Sequence, residues 1–206
     1  MDNIEFYSDA SRFFQNQFDS KRLADQLEKT RLRTQLNDDD IEFIQSSEFF
    51  FLATVDKEGK PDCSIKGGNA GFVSVKNPST ISVPNYDGNG MFRSLGNIME
   101  NPWVGMLFVS FSEEQRKLRV NGKATLLGSA KAKNPEDIYM EVEIFQIFPN
   151  CPRYLPDIDQ KLSSIYNPAK GYDPPDPHWK SKPDLCDHLP QGRYDRALDS
   201  EKNGDV

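Results

Sequence analysis

The sequence has few of the residues that build metal sites and disulfide frameworks. Its 206 residues include three cysteines that lie far apart and two histidines, both near the C-terminus. An odd, dispersed set of cysteines is typical of reduced thiols in a cytoplasmic protein. Two histidines without a CxxC pair provide almost no zinc ligands. We therefore expect neither a disulfide framework nor a metal site.

Long apolar runs and an excess of positive charge are also lacking. No segment approaches the ~18 consecutive apolar residues of a membrane helix, and the acidic start MDNIEFYSDA does not resemble a signal peptide. Lys and Arg number 25 against 32 Asp and Glu, a net charge of -7, which argues against nucleic-acid binding. The sequence predicts a cytoplasmic protein with no membrane or nucleic-acid partner.

The order of sequence patterns predicts one core domain with extensions at both ends. Residues 13–47 have helical periodicity, and Asn37 or Asp38 is a suitable cap for the second of two predicted helices. Residues 48–150 form the predicted domain, and residues 151–206 begin with a possible helix over 157–166 and continue as a proline-rich extension. The domain contains a short predicted helix over 91–100 and apolar or alternating strand segments at 49–55, 62–66, 71–75, 80–83, 104–111, 117–127 and 139–148.

Two glycine-rich stretches are candidates for binding chemistry. In PDCSIKGGNAGFVSV (61–75) a strand ends at Lys66 and two glycines follow, so the lysine can project toward an anion or remain in solvent on a surface hairpin. In YDGNGMFRSLGN (86–97) a loop leads into a helix with Arg93, Ser94 and Asn97 in its first turns. That arrangement is typical of a phosphate site, or of a flexible loop before an ordinary helix.

Two further stretches carry positive charge or a thiol. In RKLRVNG (116–122) Lys117 and Arg119 share one strand face, which points either to solvent or to a bound anion. In NCPRY (150–154) Cys151 precedes a proline and Arg153. A catalytic cysteine needs a nearby base, and neither histidine is close in sequence, so a packed thiol is the simpler interpretation. No residue is singled out as catalytic.

The motifs PDCSIKGG, GFV, YDGNGMFRS, ENP, VGMLF, LRVNG and FPNCPRY occur in a fixed order. In that order they resemble the flavin-binding core of the pyridoxamine phosphate oxidase superfamily, and more closely a bacterial branch of pyridoxamine phosphate oxidase-like proteins. The resemblance covers about residues 42–150. It implies a mainly β (α+β) fold, a six-stranded antiparallel split β-barrel with flanking helices, which binds FMN. It also implies a homodimer with one FMN in each of two clefts between the subunits.

By this resemblance the strand at 62–66 lies beside the isoalloxazine ring, with Lys66 reaching the ring or the ribityl chain. Arg93 and Ser94 match the pair that holds the phosphate, and Lys117 matches a ring contact. Pro61 and Ser94 replace an arginine and a lysine of the oxidase, and its C-terminal Arg-x-His is not found. The motifs and the resemblance together give these candidate cofactor-binding residues: Asp62, Cys63, Ser64, Ile65, Lys66, Val83, Pro84, Arg93, Ser94, Asn97, Lys117, Arg119 and Arg153.

The resemblance predicts a flavoprotein oxidoreductase that transfers electrons between a reduced nicotinamide or another small molecule and an acceptor. Because FMN supplies the redox chemistry, the protein needs only to fix the ring, the phosphate and a space for substrate. Two alternatives stay open at this point. One is a flavin carrier or sensor without catalysis, and the other is a split barrel that binds haem or a deazaflavin.

Overall fold

The computed structural model describes residues 5–86, 88–111, 115–156, 158, 165, 175 and 178–189. The chain divides into two units, which are described separately. The first contains Met1–Leu32 and Arg153–Val206, and the second contains Arg33–Pro152. Apart from residues 158 and 165, the helix predicted over 157–166 lies outside the described residues. None of the helices in the described ranges is long and apolar enough to cross a membrane.

The first unit is built on two helices, α1 (Asp9–Gln17) and α2 (Lys21–Arg31). Ser8 caps α1 because its side chain accepts a hydrogen bond from the Ser11 amide. Asp19 takes a left-handed φ of 49° between the two helices. A third helix, α3 (Asp38–Ser46), follows in the second unit. Three helices therefore precede the sheet, and the prediction of two was wrong. The pattern of α1 begins before residue 13, and the left-handed turn divides what the sequence presents as one periodic run.

The second unit begins with α3 (Asp38–Ser46), which starts at the predicted position. Asn37 and Asp40 form a reciprocal capping box at its N-terminus. The Asp40 side chain is buried and forms ion pairs with Arg33 and with Arg116, the latter at 3.0 Å. A buried carboxylate needs such partners, and these two connect the helix to the chain before it and to a strand of the sheet.

A seven-stranded antiparallel sheet forms the rest of the second unit, in the order β2-β1-β5-β6-β7-β4-β3. The predicted mainly β class is confirmed, and each of the seven predicted segments overlaps one strand. The sheet has one strand more than the six that the resemblance implied. The strands are β1 (Phe49–Val55), β2 (Pro61–Gly67), β3 (Ser74–Asn77), β4 (Thr80–Pro84), β5 (Trp103–Ser110), β6 (Arg116–Leu127) and β7 (Tyr139–Pro149). One helix, α4 (Arg93–Glu100), lies between β4 and β5 in sequence.

Alternation of buried and more exposed residues along most of the central strands separates the core from the outer face of the sheet. One row across β1, β5, β6 and β7 consists of Leu52, Met106, Val120 and Ile147, and all four are buried. Each such side chain contributes about 1.5–3 kcal/mol by leaving water. Although β2 and β4 are far apart in the strand order, residues of both line a common cavity. The sheet therefore curls into a barrel that is open between these strands, as a split barrel requires.

Candidate functional site

Two adjoining cavities lie at the opening of the barrel. The first, here called the loop cavity, has a volume of about 350 Å³ and is lined by β2, by residues 85, 86 and 88–92 and by the start of α4. The second, the barrel cavity, has a volume of about 200 Å³ and is lined by β2, β4, α4 and single residues of β1 and β7. Both cavities are lined by Lys66, Asn85, Tyr86, Gly88, Ser94 and Leu95.

Strand β2 supplies the polar wall of the loop cavity. Alternation along a strand directs every second side chain to one face, and Asp62, Ser64 and Lys66 are the half-buried set. Cys63 and Ile65 are exposed between them, and they also contribute to the lining. This wall therefore presents a carboxylate, a hydroxyl and an ammonium group in succession along one strand.

The first turn of α4 faces this wall and is connected to it at two points. Arg93 Nε lies 3.6 Å from Asp62 Oδ1, and Ser94 Oγ lies 3.3 Å from Ser64 Oγ. The residue before the helix is Phe92, which has a left-handed φ of 49° and a side chain without a hydrogen-bond acceptor. The amide groups at this helix end are therefore not capped by Phe92 and can serve an anion.

The charge of Lys66 is affected by its surroundings. Burial lowers the pKa of Lys66 below the ordinary lysine value, and the negative charge of Asp62 opposes that shift. Lys66 also belongs to both cavities, whereas Arg93 lines only the loop cavity. A cation at this junction can interact with a ligand that extends from one cavity into the other.

The structure brings nine of the thirteen candidate residues together at the two cavities. Val83 and Pro84 line the barrel cavity, and the remaining lining candidates are those of β2 and α4 described above. Asn97 is buried on α4 and donates a hydrogen bond to Thr54, so it supports the helix rather than lining either cavity. Arg153 belongs to the first unit, where its guanidinium lies over the ring of Tyr154.

Lys117 and Arg119 lie on β6, which is separated from β2 by β1 and β5. As the alternation predicted, their neighbours Leu118 and Val120 are buried. The guanidinium of Arg119 lies 5.5 Å from the centre of the Phe148 ring. Burial lowers the pKa of Lys117, and interaction with Cys151 opposes the shift. Neither basic residue lines the two cavities, so their role as cofactor contacts stays a prediction.

Several lining residues were missed by sequence reasoning. The loop residues Tyr86, Met91 and Phe92 belong to a stretch that the sequence marks as glycine-rich, but their exposed side chains carry no anion-binding signal. Met140 reaches the barrel cavity because β7 pairs with β4 and places it opposite Val83. That pairing joins distant parts of the chain, and a single sequence contains no local signal for it.

Metal chemistry has no evident ligand set among the residues that the structure describes. Within the described part of the chain, no group of three His, Cys, Asp or Glu side chains is arranged to hold a metal ion. The three cysteines are all free thiols. The polar groups of the two cavities are instead suited to an organic anion, because they combine cations, hydroxyls and backbone amides.

Comparison with known proteins identifies one sequence family and several similar folds. Residues 37–147 match the family described as pyridoxamine 5'-phosphate oxidase. No curated protein matches the sequence. Structural similarity extends to HupZ of Group A Streptococcus, with 19% identity and a TM-score of 0.43 over 55% of this chain and 93% of that one. An FMN-binding protein from Syntrophomonas wolfei has 13% identity and a TM-score of 0.42, and the match covers 69% of this chain and 95% of that protein. The heme storage protein HutZ from Vibrio cholerae has 17% identity and a TM-score of 0.34, and the match covers 57% of this chain and 92% of HutZ.

Proposed function

Because the chain belongs to the pyridoxamine 5'-phosphate oxidase family, we propose that it binds FMN across the loop and barrel cavities and acts as a flavin-dependent oxidoreductase. The observation that carries the proposal is the donor set at the start of α4. Arg93, Ser94 and an uncapped helix end face Ser64 and Lys66 of β2 around one cavity. This combination suits a phosphate group joined to a larger organic body.

The dimensions and the lining of the cavities agree with such a ligand. Volumes of about 350 and 200 Å³ lie together within the ~300–1,000 Å³ typical of cofactor and ligand sites. The barrel cavity is lined by apolar side chains such as Val83, Ile98 and Met140, which can pack on a planar ring. The phosphate would then lie in the loop cavity at Arg93, and Lys66 would lie between the phosphate and the ring.

In this arrangement FMN supplies the redox chemistry, and the protein residues bind and orient it. Arg93 and the α4 amides hold the phosphate, and Ser64 and Ser94 offer hydroxyl groups beside it. The ammonium group of Lys66 would attract negative charge on the ring and would thereby stabilise the reduced form of the cofactor. Substrate would reach the ring through the open side of the loop cavity, where Tyr86, Met91 and Phe92 are exposed.

A spectrum of the purified protein tests this proposal directly. Protein purified from cells, or apoprotein reconstituted with FMN, should be yellow with a flavin band near ~450 nm. Haemin and a deazaflavin serve as competing ligands in the same reconstitution. Protein that binds haemin and ignores FMN, or that binds neither, contradicts the proposed cofactor.

Reduction under anaerobic conditions separates an enzyme from a flavin carrier. An oxidoreductase that uses a nicotinamide donor should lose its flavin absorbance at a useful rate after NADH or NADPH is added, and regain it with oxygen. The matched control is free FMN at the same concentration. A protein whose bound flavin is reduced no faster than free FMN by either nucleotide, or by a panel of small organic donors, is better described as a carrier or sensor.

The same proposal includes a homodimer formed through the outer face of the sheet. Ile65, Phe51, Leu107 and Arg119 lie side by side across β2, β1, β5 and β6. Ile65 is 61% exposed, and Phe49 packs against the edge of Phe51 nearby. Three apolar side chains in this row are exposed or half-buried, which favours association, and a two-fold axis lets one patch cover its own copy. Because Ile65 also lines the barrel cavity, the second copy would close the cofactor site.

Light scattering after size-exclusion chromatography measures this association. The wild-type protein should have the mass of two chains, and Leu107→Lys should shift it toward one chain because it places a charge in the apolar row. Thr125→Lys, on the exposed side of β6 away from this row, is the matched control and should remain dimeric. A wild-type monomer, or a folded Leu107→Lys protein that stays dimeric, contradicts this interface.

A further inference from the structure

Asp62 is a carboxylate in a site that otherwise offers cations, hydroxyls and amides. It lines the loop cavity with a side chain that is 26% exposed, and its charge also acts on Lys66. A carboxylate repels a phosphate dianion, so a phosphate site gains nothing from it by direct contact. Its position therefore requires a different explanation, and its contact with Arg93 provides one.

The geometry of that contact decides which edge of the guanidinium is in use. The closest approach, 3.6 Å, is between Asp62 Oδ1 and Arg93 Nε. A guanidinium can bind a second anion through its opposite edge, formed by Nη1 and Nη2, in a bidentate manner. The Arg93 side chain is 55% exposed, so without a partner it would sample many rotamers. An anchor at Nε limits these rotamers and leaves the terminal amino groups available.

We infer that Asp62 is a positioning residue, which holds Arg93 by its Nε so that Nη1 and Nη2 face a bound phosphate. The inference rests on the proposed function, because the phosphate is taken to be that of FMN. Two neighbouring contacts strengthen the anchor. Ser64, the next residue on the same face of β2, contacts Ser94, the next residue of α4. One turn further along α4, Asn97 donates a hydrogen bond to Thr54 of β1. The first turns of α4 are thus joined to β2 and β1 through side chains, and the contact with Asp62 extends this support to the arginine side chain.

Positioning and repulsion predict opposite effects when the charge of Asp62 is removed. Asp62→Asn keeps the volume of the side chain and eliminates the ion pair. If the loss of orientation dominates, FMN binds more weakly. If relief of repulsion dominates, FMN binds more tightly. Riboflavin has the same ring and ribityl chain without the phosphate, so it reports every effect that does not involve the phosphate, and the Arg93→Ala background then separates the part that depends on Arg93.

The experiment compares the wild type with Asp62→Asn, Arg93→Ala, the double variant and Glu58→Gln. Glu58 lies in the β1–β2 turn away from the cavities, so Glu58→Gln controls for the same change in net charge. Dissociation constants are measured for FMN and riboflavin by quenching of flavin fluorescence, and for inorganic phosphate by calorimetry. Thermal unfolding of each variant verifies that it is folded.

We expect Asp62→Asn to weaken FMN binding about threefold to tenfold and to change riboflavin binding less than about twofold. In the Arg93→Ala background the same substitution should cause no further loss of FMN affinity, because no guanidinium remains to be oriented and only the repulsion of the phosphate by the carboxylate is removed. Tighter FMN binding by Asp62→Asn, equal losses for both flavins, or an undiminished loss in the Arg93→Ala background would each overturn the inference.

The phosphate measurement separates the inference from the proposed function. If the wild type binds neither flavin but binds inorganic phosphate with the same dependence on Asp62 and Arg93, the FMN proposal fails and the positioning role stands. If it binds FMN and the dependence on Asp62 is missing, the FMN proposal stands and the positioning role fails. A protein that binds none of the three probes overturns both.

Discussion

Asn97 donates a hydrogen bond from its side-chain amide to Thr54 Oγ1 over 2.9 Å, and both residues are buried. The bond joins the middle of α4 to strand β1, below the helix turn that carries Arg93 and Ser94. A buried polar group that loses its partner retains the full penalty of lost hydration. This pair is therefore a structural support for the helix end that faces the loop cavity.

Asn97→Ala should lower the free energy of unfolding by about 1–3 kcal/mol, because the Thr54 hydroxyl is left without its donor. Thr54→Val removes the other partner and is the matched substitution. The double variant should be less unstable than the sum of the two single changes, since neither polar group is then left unpaired. Urea unfolding followed by circular dichroism measures all three. Additive losses would contradict the direct bond.

Arg93→Ala should weaken FMN much more than riboflavin, by a few kcal/mol at most, because a charge-assisted phosphate contact is lost while the ring contacts remain. Arg93→Lys should lose less, since the charge is kept and only the bidentate geometry is removed. Titration of apoprotein with each flavin gives the two dissociation constants. Losses of equal size for FMN and riboflavin would reject the phosphate contact.

The preference for FMN over riboflavin should decline at high pH. Burial lowers the pKa of Lys66 below 10.5, so the ammonium loses its proton at a lower pH than in the unfolded chain. The attraction for the phosphate is complete while Lys66 is charged and disappears as the pH rises through this lowered pKa. The ratio of the two flavin affinities cancels titration of the ring itself. Lys66→Arg keeps its charge and should give a flat profile over the same range, and a wild-type ratio that is equally flat would argue against the contact.

Two glycines should respond to alanine in opposite directions. A Cβ at Gly122 would lie 2.4 Å from the Glu143 carbonyl oxygen on the paired strand β7, so Gly122→Ala should destabilise the barrel by about 1–3 kcal/mol. Gly96 is inside α4 with nothing within 4 Å of its Cβ position, so Gly96→Ala should stabilise by up to about 1 kcal/mol. Thermal unfolding measures both. A stable Gly122→Ala protein would show that the strands can separate at this point.

Local patterns predicted most of the sheet, because strand alternation and turn residues are short-range signals. The bounds of β1 were predicted to the residue, whereas β3 begins at Ser74 and not at 71. Gly71 has a φ of 89°, which no extended strand allows. Similarly, α4 begins at Arg93 because Phe92 is left-handed, which a run of helix-compatible residues does not reveal.

The site was predictable where its residues are close in sequence. β2 and the start of α4 each carry a recognisable string, and the structure brings both strings to the loop cavity. The contact between Asp62 and Arg93 depends on how the barrel curls, which is set by pairings between distant segments. The apolar wall of the barrel cavity has the same origin. Its residues resemble any other core residues until the register of β4 on β7 is known.

The side-chain contacts that hold α4 against β1 and β2 should affect the kinetics with which the proposed cofactor binds. These contacts are made by residues of the chain itself, so the receiving surface exists before any ligand arrives. The conformational entropy of these side chains is lost when the protein folds, so ligand binding does not have to order them again. Loading of apoprotein should then be a single, concentration-dependent process without a slow rearrangement.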